Sequence, residues 1–273
     1  MTHLYGVIGD PVTHSLSPLI HRGWMRDNHL DADYRGFQVP AGELQSGMAA
    51  LERDGVRGLN VTLPHKSDVI ALCGEKSPLV QTIGAANTLS RLPDGGWRAD
   101  NTDKDGFLED FQAAYAGELT NTRILMLGAG GAARAVALAL TEAGADVAIA
   151  NRTLERASQL CADLGLPENR AIPLTDYLQL VRSADAVVNC LSLGHSGEMI
   201  ELGDGDGRLV YDISYGKAAA PFLEASAATG WKVADGLGML VGQAALSFEI
   251  WHGLRPDKAS ALSRCRAALE AIS

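Results

Sequence analysis

Ile124-Leu-Met-Leu-Gly-Ala-Gly-Gly-Ala-Ala133 carries the clearest structural signal in the chain. Four consecutive apolar residues without polar alternation read as a strand buried on both faces, as in parallel sheets covered by helices. Gly128, Gly130 and Ala133 then spell G-x-G-x-x-A, and Arg134–Ala143 continues as an apolar helix that Gly144 stops. Asp146–Ala150 reads as the next strand. In that setting the first glycine serves a tight turn and the second lets backbone approach a pyrophosphate. The small third residue lets the helix pack against the strand, and the helix start offers unpaired N–H groups. The run Gly128, Ala129, Gly130, Gly131 and Ala132 is therefore a candidate phosphate cradle in a dinucleotide-binding unit.

In such units an acid at the end of the second strand usually holds a bare ribose 2′-hydroxyl. Here the strand ends in Asn151-Arg152-Thr153, with Arg156 one turn on. Guanidinium groups suit a 2′-phosphate through charge-assisted hydrogen bonds, so NADP is expected rather than NAD. Simple solvation of a helix start is the plainer use of the same arginines. Further strands are expected at Ala186–Cys190, Leu209–Ile213 and Trp231–Ala234. A long apolar helix over Gly238–Trp251 and a terminal helix over Arg255–Ser273 follow.

Towards the N-terminus, Tyr5–Gly9, Tyr34–Val39 and Gly58–Thr62 read as strands. Glu43–Arg53 and Lys66–Leu72 read as helices, and Ser17-Pro18 looks like a cap followed by proline at the first helical position. Asn87–Leu92 and Trp97–Ala99 flank an expected hairpin turn at Pro93-Asp-Gly-Gly96. Strands alternating with helices define an α/β class, with an α/β unit first, a dinucleotide-type unit second and a helical return at the end.

The chain has 273 residues, 47% hydrophobic and 21% charged, which fits a globular protein of about two domains. With 23 Lys+Arg against 33 Asp+Glu the net charge is −10, a field that repels nucleic acids and anionic membranes. Met1–Asp10 shows no basic segment followed by a long apolar run, so no signal peptide is expected. The most apolar run begins at Ile124 and is broken by Arg134, short of a bilayer span. Cys73, Cys161, Cys190 and Cys265 are scattered, without a C-x-x-C pair or a histidine at ligand spacing. Reduced thiols, a cytoplasmic setting and no metal site are expected.

Four polar clusters sit at expected strand ends: His14-Ser-Leu-Ser17, Asn60-Val-Thr-Leu-Pro-His-Lys66, Ala85-Ala-Asn-Thr88 and Asp100-Asn-Thr-Asp103. Singly, each could be an ordinary cap or Asx-turn. Together they resemble the shikimate dehydrogenase family. The matching segments are Gly9-Asp-Pro-Val-Thr-His-Ser-Leu-Ser-Pro18, Asn60–Lys66, Gly84–Thr88, Asp100–Asp103, Gly128–Ala133, Asn151–Thr153 and Ala234-Asp-Gly-Leu-Gly-Met-Leu-Val-Gly-Gln243, in the family's order.

The resemblance implies NADP-linked interconversion of 3-dehydroshikimate and shikimate, on the route to aromatic amino acids. It also implies a substrate domain over residues 1–103 and 237–273 and a Rossmann-type NADP domain over 104–236, the C-terminal helices returning to the substrate domain. By the same carry-over, Ser15 and Ser17 bind the substrate carboxylate with help from Tyr215. Thr62, Asn87 and Gln243 hold the ring hydroxyls, and Lys66 and Asp103 form the catalytic pair. Gly128–Ala132, Asn151, Arg152, Thr153, Arg156, Ile213 and Gly236 line the NADP site.

Three departures stand out. Lys104-Asp105 replaces glycine after Asp103, Leu191 and His195 are unusual within Asn189–His195, and Ala218-Ala-Ala220 stands where threonine is common. They leave room for a quinate/shikimate dehydrogenase or an enzyme acting on an amino analogue. A non-catalytic nucleotide-sensing module is the reading from another class, but such a protein would be expected to have lost Lys66 or Asp103. The partners expected are the small-molecule substrate and the cofactor, in a monomer or homodimer.

Overall fold

The computed structural model describes residues 2–193 and 200–271. The described residues form two six-stranded sheets. They fall into two compact units, one holding the chain up to Gly106 and again from Leu240, the other Phe107–Met239.

The first unit contains β1 (His3–Gly9), β2 (Ala32–Gln38), β3 (Val56–Val61), β4 (Glu75–Lys76), β5 (Thr88–Arg91) and β6 (Trp97–Asp100), in the order β2-β1-β3-β5-β6-β4. β1 runs parallel to both neighbours, whereas β5 runs antiparallel to β3 and β6. The carboxyl ends of β1 and β3 therefore lie at the same edge, which brings the segments after Gly9 and Val61 together. Asp10 donates its N–H to the Leu63 carbonyl at 2.9 Å there.

Helices α1 (Ser17–Asp27), α2 (Leu44–Arg53) and α3 (Pro78–Ile83) belong to this unit. α1 begins at Ser17 rather than after it, with Leu16 in the cap position and no side-chain cap. The helix expected over Lys66–Leu72 is only a 3-10 turn over Asp68–Leu72, in which Val69 alone is buried. Ile70 and Leu72 are only partly buried against the same core as Val69, so packing gives this segment too little to hold a longer helix. α3 is an addition to the expected elements, yet it carries a plain signature: proline at the helix start and a Ser77 hydroxyl that accepts the Val80 N–H at 3.3 Å.

The second unit is a doubly wound sheet. β7 (Arg123–Leu127), β8 (Asp146–Asn151), β9 (Ala171–Pro173), β10 (Ala186–Asn189), β11 (Leu209–Asp212) and β12 (Lys232–Asp235) lie in the order β12-β11-β10-β7-β8-β9, all parallel. The continuous apolar run of β7 has a direct cause. Ile124 and Met126 enter the core on one face, Leu125 and Leu127 the core on the other. Helices α4 (Asp103–Tyr115), α5 (Gly131–Glu142), α6 (Leu154–Asp163), α7 (Tyr177–Val181) and α8 (Ala220–Ala228) follow in sequence. After them come α9 (Leu237–His252) and α10 (Lys258–Glu270).

The chain passes between units inside α4 and again inside α9. Within the second unit the Asp110 carboxylate accepts from the Tyr211 hydroxyl at 2.6 Å and from the Met239 N–H at 3.0 Å. It thereby fastens α4 to β11 and to the first turn of α9. Burial raises the pKa of Asp110. No described helix is long and apolar enough to cross a membrane.

Candidate active site

In the first unit, the edge formed by the carboxyl ends of β1 and β3 gathers most of the residues singled out above. Lys66 Nζ donates to Asp103 Oδ2 at 2.6 Å, and the two side chains are only 12% and 4% exposed. Asp103 Oδ1 accepts from Asn87 Nδ2 at 2.8 Å. Asp103 opens α4, where Asn101 Oδ1 accepts the N–H groups of Asp103 (3.0 Å) and Lys104 (3.4 Å). The carboxylate thus stands at the positive end of a helix dipole as well as beside an ammonium group.

Asn87 is the hub. Its Nδ2 also lies 2.9 Å from Thr102 Oγ1 and 3.2 Å from Gln243 Oε1, while its Oδ1 accepts the Thr102 N–H at 2.7 Å. Two amide protons face three acceptors, so one acceptor position can be exchanged without leaving a buried donor unpaired. Gln243 reaches this place because α9 passes against α4 at Gly106, where a β-carbon would stand 2.5 Å from the Gln243 nitrogen.

Thr62 packs its methyl group against Gly9, where a β-carbon would come within 2.4 Å of it. Ser15 is half-buried and its Oγ accepts the Ser17 N–H at 3.2 Å; Ser17 is buried. The Ser15 hydroxyl proton therefore remains to be donated. Lys66, Asp103, Asn87 and Gln243 are joined by hydrogen bonds, Ser15 and Thr62 lie in neighbouring strand-end loops of the same unit, and Ser17 opens α1. Thr88, Thr102 and Asn101 enter the sequence reading only as cluster members, and Tyr34 only as an ordinary strand residue. A groove of about 670 Å³ opens near Arg57, Arg91 and Trp251 at the opposite strand ends. There Arg91 is already paired with Glu52 at 2.5 Å.

In the second unit, Gly128 ends β7 with φ at +108°, a conformation that favours glycine, and donates its N–H to Ala150 at 2.7 Å. A β-carbon there would meet the Cys190 carbonyl carbon at 3.0 Å, whereas one at Gly130 would stand in open space. Gly130 caps α5, whose first-turn N–H groups have no partner within the helix. This opening lies where the strand order reverses between β7 and β10, the usual ligand position in such sheets. The residues present fit a dinucleotide pyrophosphate.

Asn151 has a different task from its neighbours: its Oδ1 accepts the Ala129 N–H at 3.2 Å and its Nδ2 donates to the Thr153 carbonyl at 2.8 Å. It braces the loop and leaves Ala129 without a free donor. Arg152, Thr153 and Arg156 are exposed beside it. Gly236 lies so close to Ile213 that a β-carbon would sit 2.1 Å from its carbonyl oxygen. Tyr215 is half-buried in the loop after β11. Leu191 is described, its N–H donated to Asn189 at 3.1 Å, but His195 lies outside the described residues. Among those residues no cluster of three His, Cys, Asp or Glu side chains could hold a metal ion.

The open glycine loop and parallel sheet define the second unit as a dinucleotide-binding α/β unit, accompanied by a polar site built around a buried Lys–Asp pair. Three family models match: the shikimate dehydrogenase substrate binding domain over residues 7–89, shikimate / quinate 5-dehydrogenase over 111–202 and the shikimate 5′-dehydrogenase C-terminal domain over 236–264. The chain is 50% identical over 275 residues to a shikimate dehydrogenase (NADP(+)) of Hyphomonas neptunium (strain ATCC 15444), covering 100% of both. It also matches the crystal structure of shikimate dehydrogenase from Aquifex aeolicus with a TM-score of 0.88 at 34% identity, over 97% and 98% of the two chains. A third match is the shikimate 5-dehydrogenase of Thermus thermophilus in complex with NADP(H) and shikimate, with a TM-score of 0.83 at 36% identity over 97% and 99%. The chain belongs to the shikimate dehydrogenase family.

Proposed function

We propose that the protein is an NADP-dependent shikimate dehydrogenase that reversibly reduces 3-dehydroshikimate to shikimate. The observation that carries this reading is the buried Lys66–Asp103 pair, braced by Asn87 next to Gln243. Full-length similarity to a relative named for this activity supports it. Residues 1–103 with 237–273 bind substrate and residues 104–236 bind NADP. A family model described as a substrate binding domain over residues 7–89 supports the first assignment.

Oxidising a carbinol removes a hydride and a hydroxyl proton, and NADP when bound supplies the ring that carries the hydride. The chain's own residues handle the proton: Lys66 and Asp103 take it up and return it in the reverse direction. Thr62, Asn87 and Gln243 hold the ring hydroxyls. Ser15 and Ser17 hold the carboxylate, with Tyr215 contributing a phenol. Gly128–Ala132 receive the pyrophosphate, Asn151 and Thr153 shape the adjoining turn, Arg152 and Arg156 meet the 2′-phosphate, and Ile213 and Gly236 border the cofactor. The four free cysteines support a reducing, cytoplasmic setting. The protein acts as a monomer or homodimer, which sedimentation distinguishes.

The test is absorbance at 340 nm with shikimate and quinate, each paired with NADP and NAD. Turnover of shikimate with NADP is expected to dominate; preference for quinate with NAD would replace this reading with a quinate dehydrogenase.

Two further results are expected. Arg152→Ala removes charge-assisted bonds worth roughly 1.5–3 kcal/mol, or about 10- to 150-fold in affinity. KM for NADP should rise by that factor while use of NAD hardly changes. Equal losses with both cofactors would give Arg152 a purely structural role. Ser15→Ala removes a hydroxyl donor and should raise KM for shikimate on the order of tenfold, with little change for its methyl ester. If ester and acid weaken alike, Ser15 does not read the carboxylate.

A further inference from the structure

A buried chain of hydrogen bonds runs from the catalytic pair back into the first unit, reaching a phenol that also meets the Ser17 side chain and to which no role has been given. Tyr34, on β2 and fully buried, donates its hydroxyl to Asn60 Oδ1 at 2.7 Å. Asn60, on β3, uses its Nδ2 protons toward the Asn87 carbonyl at 3.2 Å and Thr88 Oγ1 at 3.4 Å. Thr88 Oγ1 lies 3.0 Å from Asn87 Oδ1 and 3.2 Å from Thr102 Oγ1. Asn87 Nδ2 then reaches Asp103, which holds Lys66.

This chain ties the Asn87 segment to the buried phenol. An amide group can turn by 180°, exchanging its oxygen and nitrogen with little change in shape. The Asn60 amide is held from both ends: the Tyr34 hydroxyl donates to its Oδ1, and the Asn87 carbonyl, which can only accept, takes an Nδ2 proton. Asn87 Oδ1 takes the Thr102 N–H, which can only donate, so its Nδ2 faces Asp103. The phenol itself has little freedom. Its ring is stacked on His21 with centroids 4.2 Å apart and planes at 1°.

We propose that Tyr34 is a positioning residue for the Lys66–Asp103 pair, acting through Asn60 and the Asn87–Thr88 segment. The inference rests on the reading that this pair moves the proton. Tyr34→Phe keeps the stacked ring and removes only the hydroxyl, leaving Asn60 Oδ1 a buried acceptor without that donor, so that Asn60 and the Asn87 carbonyl it holds shift. Thr88→Val, nearly isosteric, cuts the same chain one step nearer the pair and serves if the first variant fails to fold.

The experiment is steady-state kinetics on Tyr34→Phe, Thr88→Val, Asp103→Asn and the Tyr34→Phe/Asp103→Asn double variant, with melting followed by circular dichroism. Tyr34→Phe is expected to lower kcat about tenfold, the rate equivalent of one hydrogen bond worth about 1.4 kcal/mol. KM for NADP should stay unchanged. In the Asp103→Asn background the same change should cost less than about twofold, because residues acting as one unit are not additive. A full further tenfold loss in the double variant overturns the inference. So does a wild-type kcat in folded Tyr34→Phe or Thr88→Val beside a slow Asp103→Asn. Wild-type kcat in Asp103→Asn instead overturns the catalytic reading of the pair itself.

Discussion

Lys66→Ala lowers kcat by about 10²–10⁴-fold, the usual contribution of a general acid–base group, with only a modest change in KM for shikimate. The reason is geometric. Lys66 Nζ lies 2.6 Å from Asp103 Oδ2 in a nearly dry setting, and Asp103 is held on its other oxygen by Asn87. Removing the ammonium group leaves the carboxylate with one charged partner fewer and leaves no lysine where the substrate hydroxyl must exchange its proton. Asp103→Asn behaves likewise, because it keeps the shape and removes the charge. Steady-state kinetics on both variants, with folding checked by circular dichroism, decide the matter. A folded Lys66→Ala enzyme that keeps more than about a tenth of wild-type kcat would take Lys66 out of the mechanism.

Acidification to pH 5 removes about 2 kcal/mol of stability through the fully buried His21, and a smaller amount through the half-buried His252. His21 is fully buried between Trp24, Tyr34, Phe248 and Trp251, and neither ring nitrogen has a hydrogen-bond partner. Asn60 is close, but its amide is already committed to Tyr34 and Asn87. Burial, with the neighbouring His252, lowers the His21 pKa to about 3. His252 packs on Tyr5 and Phe248, and burial lowers its pKa to about 4, His3 adding to the effect.

Both folded values lie below the unfolded one, which fixes the sign. Above the unfolded pKa of about 6.5 both states are neutral and nothing is lost. As pH falls below it, the unfolded chain binds two protons that the folded chain refuses, so unfolding is favoured until the folded values are reached. Asp110 and Asp212 act in the opposite direction, since burial raises both folded pKa values. A difference measurement therefore isolates the histidine. His21→Phe keeps a ring against Tyr34, and its urea-unfolding free energy should fall by about 2 kcal/mol less than wild type between pH 8 and pH 5. Equal pH dependence in the two proteins would show that His21 is not the group being protonated.

Much of the architecture is legible in the sequence. The run Ile124–Leu127, the glycines after it and the strand ending at Asn151 follow from local rules of burial, turn geometry and helix termination. They fall as expected in β7, α5 and β8. Short elements are less legible. β4 has two residues and α3 six, too few for periodicity to register. The segment after Lys66 has helical composition, but Val69 alone is fully buried and Ile70 and Leu72 only partly so, too little packing to extend the turn into a helix.

The site divides in the same way. By itself the sequence determined the chemical inventory: a lysine, an acid, amides and hydroxyls at strand ends, a glycine loop, and arginines in place of the ribose-binding acid. Those are properties of residue type and near-neighbour spacing. Only the tertiary structure decided which groups meet. Asn87 and Gln243 are 156 positions apart and Lys66 and Asp103 are 37 apart, and the close passage of α4 and α9 at Gly106 and the pairing of β3, β5 and β6 bring them together. The same holds for Tyr34 and for His21. A buried phenol and a buried imidazole look like any strand or helix residue in sequence, and their meaning depends on which neighbours the fold leaves to hydrogen-bond them.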